Sequence, residues 1–284
     1  MPTTGGSAAS AATTSALASV PAPSAAAPTN VPASVSEPAT TQPPEPLRIL
    51  VTNDDGVGAA GIDALVGALT AMDGVEVTVI APADNRSGTS DTTSDGALPT
   101  QAATTAGGYP AVAVDGYPAD TIVFALDQGG VTRPPHVVVS GVNSGQNVGP
   151  TVPNSGTIGA AREAARHGIP AVAVSAQTGL GDADPPDFAV GAQAAVAWLE
   201  DHRDALLAGQ VTAHVYSFNA PNCNELPDRG MLDVPVATDL AGRDTQAQPD
   251  CATEPTSTPM DDVAGLAAGY VTYTELDPET LGSV

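Results

Sequence analysis

From residue 47 onward, short β-rich apolar runs alternate with segments of helical period, and this alternation constrains the fold more than any other feature. Arg48-Ile-Leu-Val-Thr52, Val75 to Ile80, Ala111 to Val114, His136-Val-Val-Val-Ser140, Ala171-Val-Ala-Val-Ser175 and Ala213 to Phe218 are all of strand length. Between the first two, Ile62, Leu65, Val66, Leu69 and Met72 recur at helical spacing until Gly74 stops the helix. Pro118-Ala119-Asp120 opens a helix through Leu126. Ser155 is placed to cap a helix running to about His167, with Gly168 just past its end. Asp187 to Leu207 reads as a long helix. Strands and helices alternating at this spacing predict an α/β fold, a doubly wound and mainly parallel sheet with helices on both faces. Ligands of such sheets bind beyond the carboxyl ends of the strands. Asn53-Asp54-Asp55, Asn85-Arg86-Ser87 and Ser140 to Asn147 each follow a strand, so they converge on one face.

The first 46 of the 284 residues read differently. Met1 to Pro46 is almost entirely Ala, Ser, Thr, Pro and Gly, with Glu37 and Glu45 as its only charges. So little apolar surface does not offset the entropy of ordering a backbone, and the segment is expected to be a disordered arm. The expected domain covers residues 47–284, with a core over 47–220 and a C-terminal extension over 221–284. No apolar run approaches the roughly 18 to 20 residues of a membrane helix. All eight basic residues are Arg, and the net charge is −24. That balance argues against a nucleic-acid partner, which requires basic surface to replace counterions. It would also repel a phosphate ester unless the site carries its own positive charge.

Cys223 and Cys251 have two readings, as unrelated thiols or as a disulfide stapling a surface loop. Their polar, Pro- and Asn-containing surroundings suit a staple. A bond would imply an oxidising, extracytoplasmic compartment, yet no charged N-terminus followed by an apolar run marks a signal peptide.

Asp54 and Asp55 are the leading candidates for chemistry. Two adjacent carboxylates at a strand end repel each other, and a divalent cation removes that cost. The competing reading is an ordinary turn with a helix-capping Asp. Ser87 and Asn143 add a hydroxyl and an amide oxygen, and the resulting all-oxygen set suits Mg²⁺, Mn²⁺ or Ca²⁺ rather than zinc. Ser155-Gly156-Thr157 at a helix start offers free N–H groups and hydroxyls to a phosphate, or else is a simple N-cap. Arg86 reads either as a phosphate contact or as a surface side chain. Gly56-Val-Gly58-Ala-Ala-Gly61, with Asp84 about 20 residues on, matches a dinucleotide fingerprint. A pyrophosphate beside Asp54 and Asp55 is unfavourable without a metal, so the oxidoreductase reading is the weaker one. Arg162, Arg166 and His167 fall where a helix end favours positive charge, and His136 reads as structural. His202 and His214 have no evident partner, and Trp198 is expected to pack in the long helix.

Four stretches taken together resemble the SurE family of metal-dependent 5′/3′-nucleotidases. They are Arg48-Ile-Leu-Val-Thr-Asn-Asp-Asp-Gly56 with Ala60-Gly61-Ile62; Ala81-Pro82 with Asn85-Arg86-Ser87-Gly88; Val139-Ser-Gly-Val-Asn-Ser-Gly145 with Asn147 and Gly149; and Ser155-Gly-Thr-Ile-Gly-Ala-Ala161 leading into Gly168-Ile-Pro-Ala-Val-Ala-Val-Ser175. They occur in the family's order across Leu47 to Ser175. The resemblance implies a Rossmann-like core, one divalent metal (Mg²⁺ or Mn²⁺, with Ca²⁺ as an inactive occupant) and phosphatase activity on nucleoside 5′- and 3′-monophosphates. It implies Asp54, Asp55, Ser87 and Asn143 as metal ligands, either Asp as the residue acting on water, and Asn147, Ser155 and Thr157 near the phosphate. It also implies a homo-oligomer, dimer or tetramer, and the cytoplasm as the ordinary location. Departures are Gly116-Tyr117-Pro118 where the family usually has Gly-Thr-Pro, and Asn154 where a Tyr usually precedes Ser-Gly-Thr. After Ser217 the match weakens, with Phe218-Asn219-Ala220-Pro221 as a degraded strand-end motif. A non-catalytic metal- or nucleotide-binding domain is the remaining alternative.

Overall fold

A computed structural model describes residues 45–178 and 185–284. The arm expected over residues 1–46 lies outside them except for Glu45 and Pro46. Among the described residues the strands are β1 (Leu47–Thr52), β2 (Val75–Pro82), β3 (Thr100–Thr104), β4 (Pro110–Val114), β5 (Val137–Ser144), β6 (Ala171–Ala176), β7 (Val215–Ala220), β8 (Met231–Asp233) and β9 (Val271–Leu276). The helices are α1 (Ala60–Thr70), α2 (Pro118–Asp127), α3 (Gly156–Arg166), α4 (Phe188–Leu207) and α5 (Asp262–Ala267), with a 3₁₀ turn over Gly149–Asn154. One sheet runs in the order β3-β4-β2-β1-β5-β6-β7-β9-β8. Neighbours from β4 through β7 are parallel, whereas β3 and β9 join antiparallel. The fold is the expected α/β, Rossmann-like, parallel-dominated sheet.

Alternation along β1 explains why helices cover both faces. Leu47, Ile49 and Val51 point into the core under α1 and α4, while Leu50 points into the core under α2 and α3. A strand buried on both sides reads as a continuous apolar run, which is what marked β1, β5 and β6 in the sequence. Each fully buried Leu, Ile or Val contributes roughly 1.5–3 kcal/mol.

The strand β3 and the elements after β7, namely β8, α5 and β9, were not evident in the sequence. The strand β3 is an exposed polar edge hydrogen-bonded to β4, and β8 has three residues. Strand β5 extends beyond the expected Ser140 to Ser144, with a register shift between Ser140 and Asn143. Gly141 makes this possible: at φ +139° it lies against β6, where a Cβ would stand 2.3 Å from the Val174 carbonyl oxygen.

Cys223 and Cys251 form a disulfide, with Cα atoms 5.7 Å apart. Closing a loop of 28 residues stabilises the fold by roughly 3–4 kcal/mol on the chain-entropy estimate. His136 is structural, its Nδ1 accepting from the Arg48 N–H at 3.0 Å. The two histidines without an evident partner do have one. His214 meets Glu275 at 2.6 Å, and His202 stacks on buried Trp198 with ring centroids 4.3 Å apart.

Candidate active site

Parallel pairing brings the carboxyl ends of β1, β5, β6 and β7 to one edge of the sheet, so the polar segments that follow them meet there. Asp54 follows β1 and is 2 % exposed. Its Oδ1 accepts from the Thr157 hydroxyl at 2.6 Å, in the first turn of α3. Gly156 permits this approach, because a Cβ there would stand 2.9 Å from that of Asp54. Asp55 accepts from the Ser144 N–H at 2.9 Å through Oδ2 and from Asn85 Nδ2 at 3.2 Å through Oδ1.

The loop after β2 docks on the same turn. The Arg86 N–H donates to the Asp54 carbonyl at 2.7 Å, and the Ser87 N–H donates to Asn85 Oδ1 at 2.9 Å. Ser87 thus follows directly on residues bonded to both aspartates, and it is exposed. Arg86 reaches Asp115 at 3.3 Å through Nη2, while its buried Nε has no partner. Asn143 is buried and commits Nδ2 to the Gly145 carbonyl at 2.7 Å, which turns the other face of the amide, Oδ1, away from that bond.

Asn147 sits in a buried amide–hydroxyl network. Its Nδ2 donates to Ser175 Oγ at 2.8 Å and lies 3.4 Å from Thr157 Oγ1, and its N–H donates to Asn219 Oδ1 at 2.7 Å. Ser155 is the N-cap of α3, its Oγ accepting from the Ile158 N–H at 3.1 Å. Thr157, expected beside a phosphate, gives its hydroxyl proton to Asp54. Thr157 therefore links Asp54, at 2.6 Å, to Asn147, at 3.4 Å, with Asp55 and Ser155 close to them in the chain, while Arg86 and Ser87 come from the loop after β2 and Asn143 from the end of β5. Ser175 and Asn219 escaped the sequence reading; Asn219 lay in the degraded strand-end motif, the one signal that pointed to it.

The glycines of the fingerprint have separate local reasons. Gly56 takes φ +100°, and a Cβ at Gly61 would lie 1.9 Å from the Val142 carbonyl oxygen, whereas Gly58 has open space. Turn geometry and packing of α1 on β5 account for Gly56 and Gly61 without a dinucleotide.

The electrostatics are unusual for so small a volume. Burial pushes the Asp54 carboxyl up to about 6; the Thr157 hydrogen bond opposes the shift, and the neighbouring Asp55 adds to it. Burial likewise raises Asp55, against its bonds from Ser144 and Asn85. Among the described residues no Arg or His makes an ion pair with either carboxylate, and Asn53 Oδ1 beside them is a buried acceptor without a donor. No cluster of three or more Asp, Glu, His or Cys forms among the described residues. A cation here would be held by two carboxylates and neutral oxygens, the donor set of a hard ion that keeps several waters.

The profile of the family described as Survival protein SurE matches residues 49–243. The 5′-nucleotidase SurE of Synechococcus sp. (strain JA-3-3Ab) is 32% identical over 252 residues, 82% of this chain and 92% of that protein. The 5′-nucleotidase SurE of Stenotrophomonas maltophilia (strain K279a) is 45% identical over 151 residues, 53% of this chain and 55% of that protein. The crystal structure of SurE protein from Aquifex aeolicus superposes with a TM-score of 0.63 at 25% identity, over 82% of this chain and 94% of that one. The matched region takes in nearly all of the stretch from Leu47 to Ser175 on which the resemblance was expected, and the chain belongs to the SurE family.

Proposed function

We propose that the chain is a metal-dependent phosphatase that hydrolyses nucleoside 5′- and 3′-monophosphates at the carboxyl edge of its sheet. The observation that carries this reading is the buried Asp54 beside Asp55 with no basic partner among the described residues. The relatives named 5′-nucleotidase support the substrate class. Asp54, Asp55, Ser87 and Asn143 would hold one Mg²⁺ or Mn²⁺, and Ca²⁺ would occupy the site without supporting turnover. The bound ion would supply the positive charge that phosphoryl transfer requires, in a chain that has no Lys.

The protein's own groups divide the remaining tasks. Thr157 fixes the Asp54 carboxylate through its hydroxyl, and Ser144 and Asn85 fix Asp55, so neither turns freely toward solvent. One of the two orients or deprotonates the attacking water. The N-terminus of α3 and the Ser155 hydroxyl are neutral donors for the phosphate oxygens, and Asn147, whose side-chain N–H groups go to Ser175 and Thr157, holds that turn in place beside them. Arg86, whose pairing with Asp115 is exposed, can swing to a substrate anion at little cost. A homo-oligomer accompanies this reading through the family resemblance.

The test is phosphate release from nucleoside monophosphates and p-nitrophenyl phosphate with Mg²⁺ or Mn²⁺, against the same assay in excess EDTA. Metal-dependent turnover with a preference for nucleotides is expected. Undiminished turnover in EDTA would overturn the metal mechanism. Metal binding without any phosphate release would leave a binding domain.

A further inference from the structure

The loop that carries Ser87 is anchored beyond Ser87 by contacts that the phosphatase reading leaves unused. Ser90 takes φ +55°, a left-handed conformation that is unfavourable for a residue with a Cβ. It is compensated by three contacts with α3 and the turn before it. The Ser90 N–H donates to the Asn154 carbonyl at 3.2 Å, and its hydroxyl donates to the Pro153 carbonyl at 2.6 Å. Its own carbonyl lies so close to α3 that a Cβ at Gly159 would stand 1.9 Å from the oxygen.

Asp91 completes the anchor. Its Oδ2 accepts from Arg162 Nη1 at 3.0 Å and from Arg166 Nη1 at 2.8 Å. The two arginines lie one turn apart on α3, where like charges repel, and Asp91 bridges them, offsetting one of the two charges. Arg162 also donates through Nε to the Pro278 carbonyl and through Nη2 to the Glu279 carbonyl, so it is held from two sides. Arg166 has Glu163 at 3.7 Å and Glu279 at 3.8 Å as further carboxylates. Loss of Asp91 would therefore release the loop more than it would strand the arginines. The cluster is mostly shielded, with 25% of the Asp91 side chain and 16% of Arg162 exposed. Burial pushes the Asp91 carboxyl up, but the Arg166 hydrogen bond and the Arg162 charge outweigh it and hold it low.

The same helix that grips Ser90 and Asp91 also presents Gly156 and Thr157 to Asp54. One rigid element thus sets the position of an aspartate and of the loop that brings Ser87 alongside it. We propose that Asp91, clamped by Arg162 and Arg166, is a positioning residue that holds Ser87 at the metal site. The proposal rests on Ser87 being a metal ligand, and the experiment separates the two claims.

Mn²⁺ affinity is measured on the full chain from the free-ion EPR signal for wild type, Ser87→Ala, Asp91→Asn, Asp91→Glu and the double variant Ser87→Ala/Asp91→Asn. Ser87→Ala should weaken binding, and Asp91→Asn should weaken it roughly tenfold, the lower end for a residue that acts through a ligand. Asp91→Glu should recover part of the loss. The double variant should bind no more weakly than Ser87→Ala, because Asp91 acts through Ser87. Wild-type affinity in Ser87→Ala would remove the ligand role and the proposal with it. Weak binding in Ser87→Ala with wild-type affinity in Asp91→Asn would overturn the positioning role alone, as would additive losses in the double variant. If Asp91→Asn melts below the assay temperature, Arg166→Gln replaces it; that variant removes one arm of the clamp and should give a smaller loss of the same kind, whereas unchanged affinity would overturn the proposal.

Discussion

The chain carries two adjacent aspartate pairs at element ends, and they are treated in opposite ways. Asp261-Asp262 opens α5. Asp261 is its N-cap, accepting from the Ala264 N–H at 2.9 Å and from Arg243 Nη1 at 2.5 Å. Asp262, 2% exposed, accepts three backbone N–H groups at 2.8 Å, from Gly149, Ala237 and Val263. Asp54 is buried to the same degree, yet its one close side-chain donor is the Thr157 hydroxyl, helped by the backbone N–H groups of Asp54 and Thr157, and no guanidinium pairs with it among the described residues. Identical dipeptides at the same depth therefore differ in how far the protein satisfies them. The saturated pair ties together α5, the turn at Ala237 and the segment after Asn147. The pair with fewer donors is the one we propose to hold a cation. On that proposal the number of donors, not the presence of two carboxylates, separates a structural pair from a site.

Three experiments can break or sharpen that contrast. The largest effect is expected for Asp54→Asn, which keeps the shape but halves the charge offered to a cation. Phosphate release should fall by more than the roughly 100-fold typical of losing an outer-shell partner, with the thermal transition retained. Activity near wild type would erase the distinction between the pairs. Asp262→Ala should instead act on stability. Three buried N–H groups lose their acceptor, and a loss of at least about 3 kcal/mol is expected in urea unfolding, with Mn²⁺ affinity of the folded fraction unchanged.

The smallest effect is in the pH dependence of the metal-free protein. The Asp54 carboxyl sits at about 6 in the fold against 3.8 for an ordinary aspartate, because burial disfavours its charged form. The folded state therefore binds the proton more tightly than the unfolded chain does. The stability this contributes is complete below the ordinary value and is lost as pH rises through about 6. Melting temperature without metal should decline across that window, and Asp54→Asn should flatten the decline. An unchanged slope in that variant would move the effect elsewhere, for instance to Asp262, whose carboxyl burial also raises.

The parallel core was legible because β1, β5 and β6 are buried on both faces and so appear as unbroken apolar runs. Most site residues were legible for a related reason: Asp54 and Asp55 follow β1, Arg86 and Ser87 follow β2, and Asn143 and Asn147 lie at or just past the end of β5. What escaped notice depends on contacts between distant segments. The edge strand β3 has no buried face to impose a pattern, and β8 is held by three residues of pairing to β9. Ser175 reads as one more strand residue until Asn147 is placed 2.8 Å from its hydroxyl. Thr157 reads as a phosphate contact because a helix start invites anions; its proton goes to Asp54 because Gly156 lets the helix approach so closely. Asp91 gave no signal, since its two partners are a helix turn apart and more than 70 residues downstream.

The place of β9 in the sheet has a consequence for synthesis on the ribosome. It lies between β7 and β8 although it follows both in the chain, and among the described residues it is the strand that covers the outer edge of β7 along Val215 to Asn219. At roughly 5–20 residues per second, the nascent chain displays that unpaired edge for several seconds before residues 271–276 emerge. The aromatic rings Tyr216 and Phe218 belong to this stretch, so the exposure is of the kind that recruits holding chaperones or a neighbouring nascent chain. Chains interrupted between β7 and β9 would be expected to aggregate rather than to remain as folded cores.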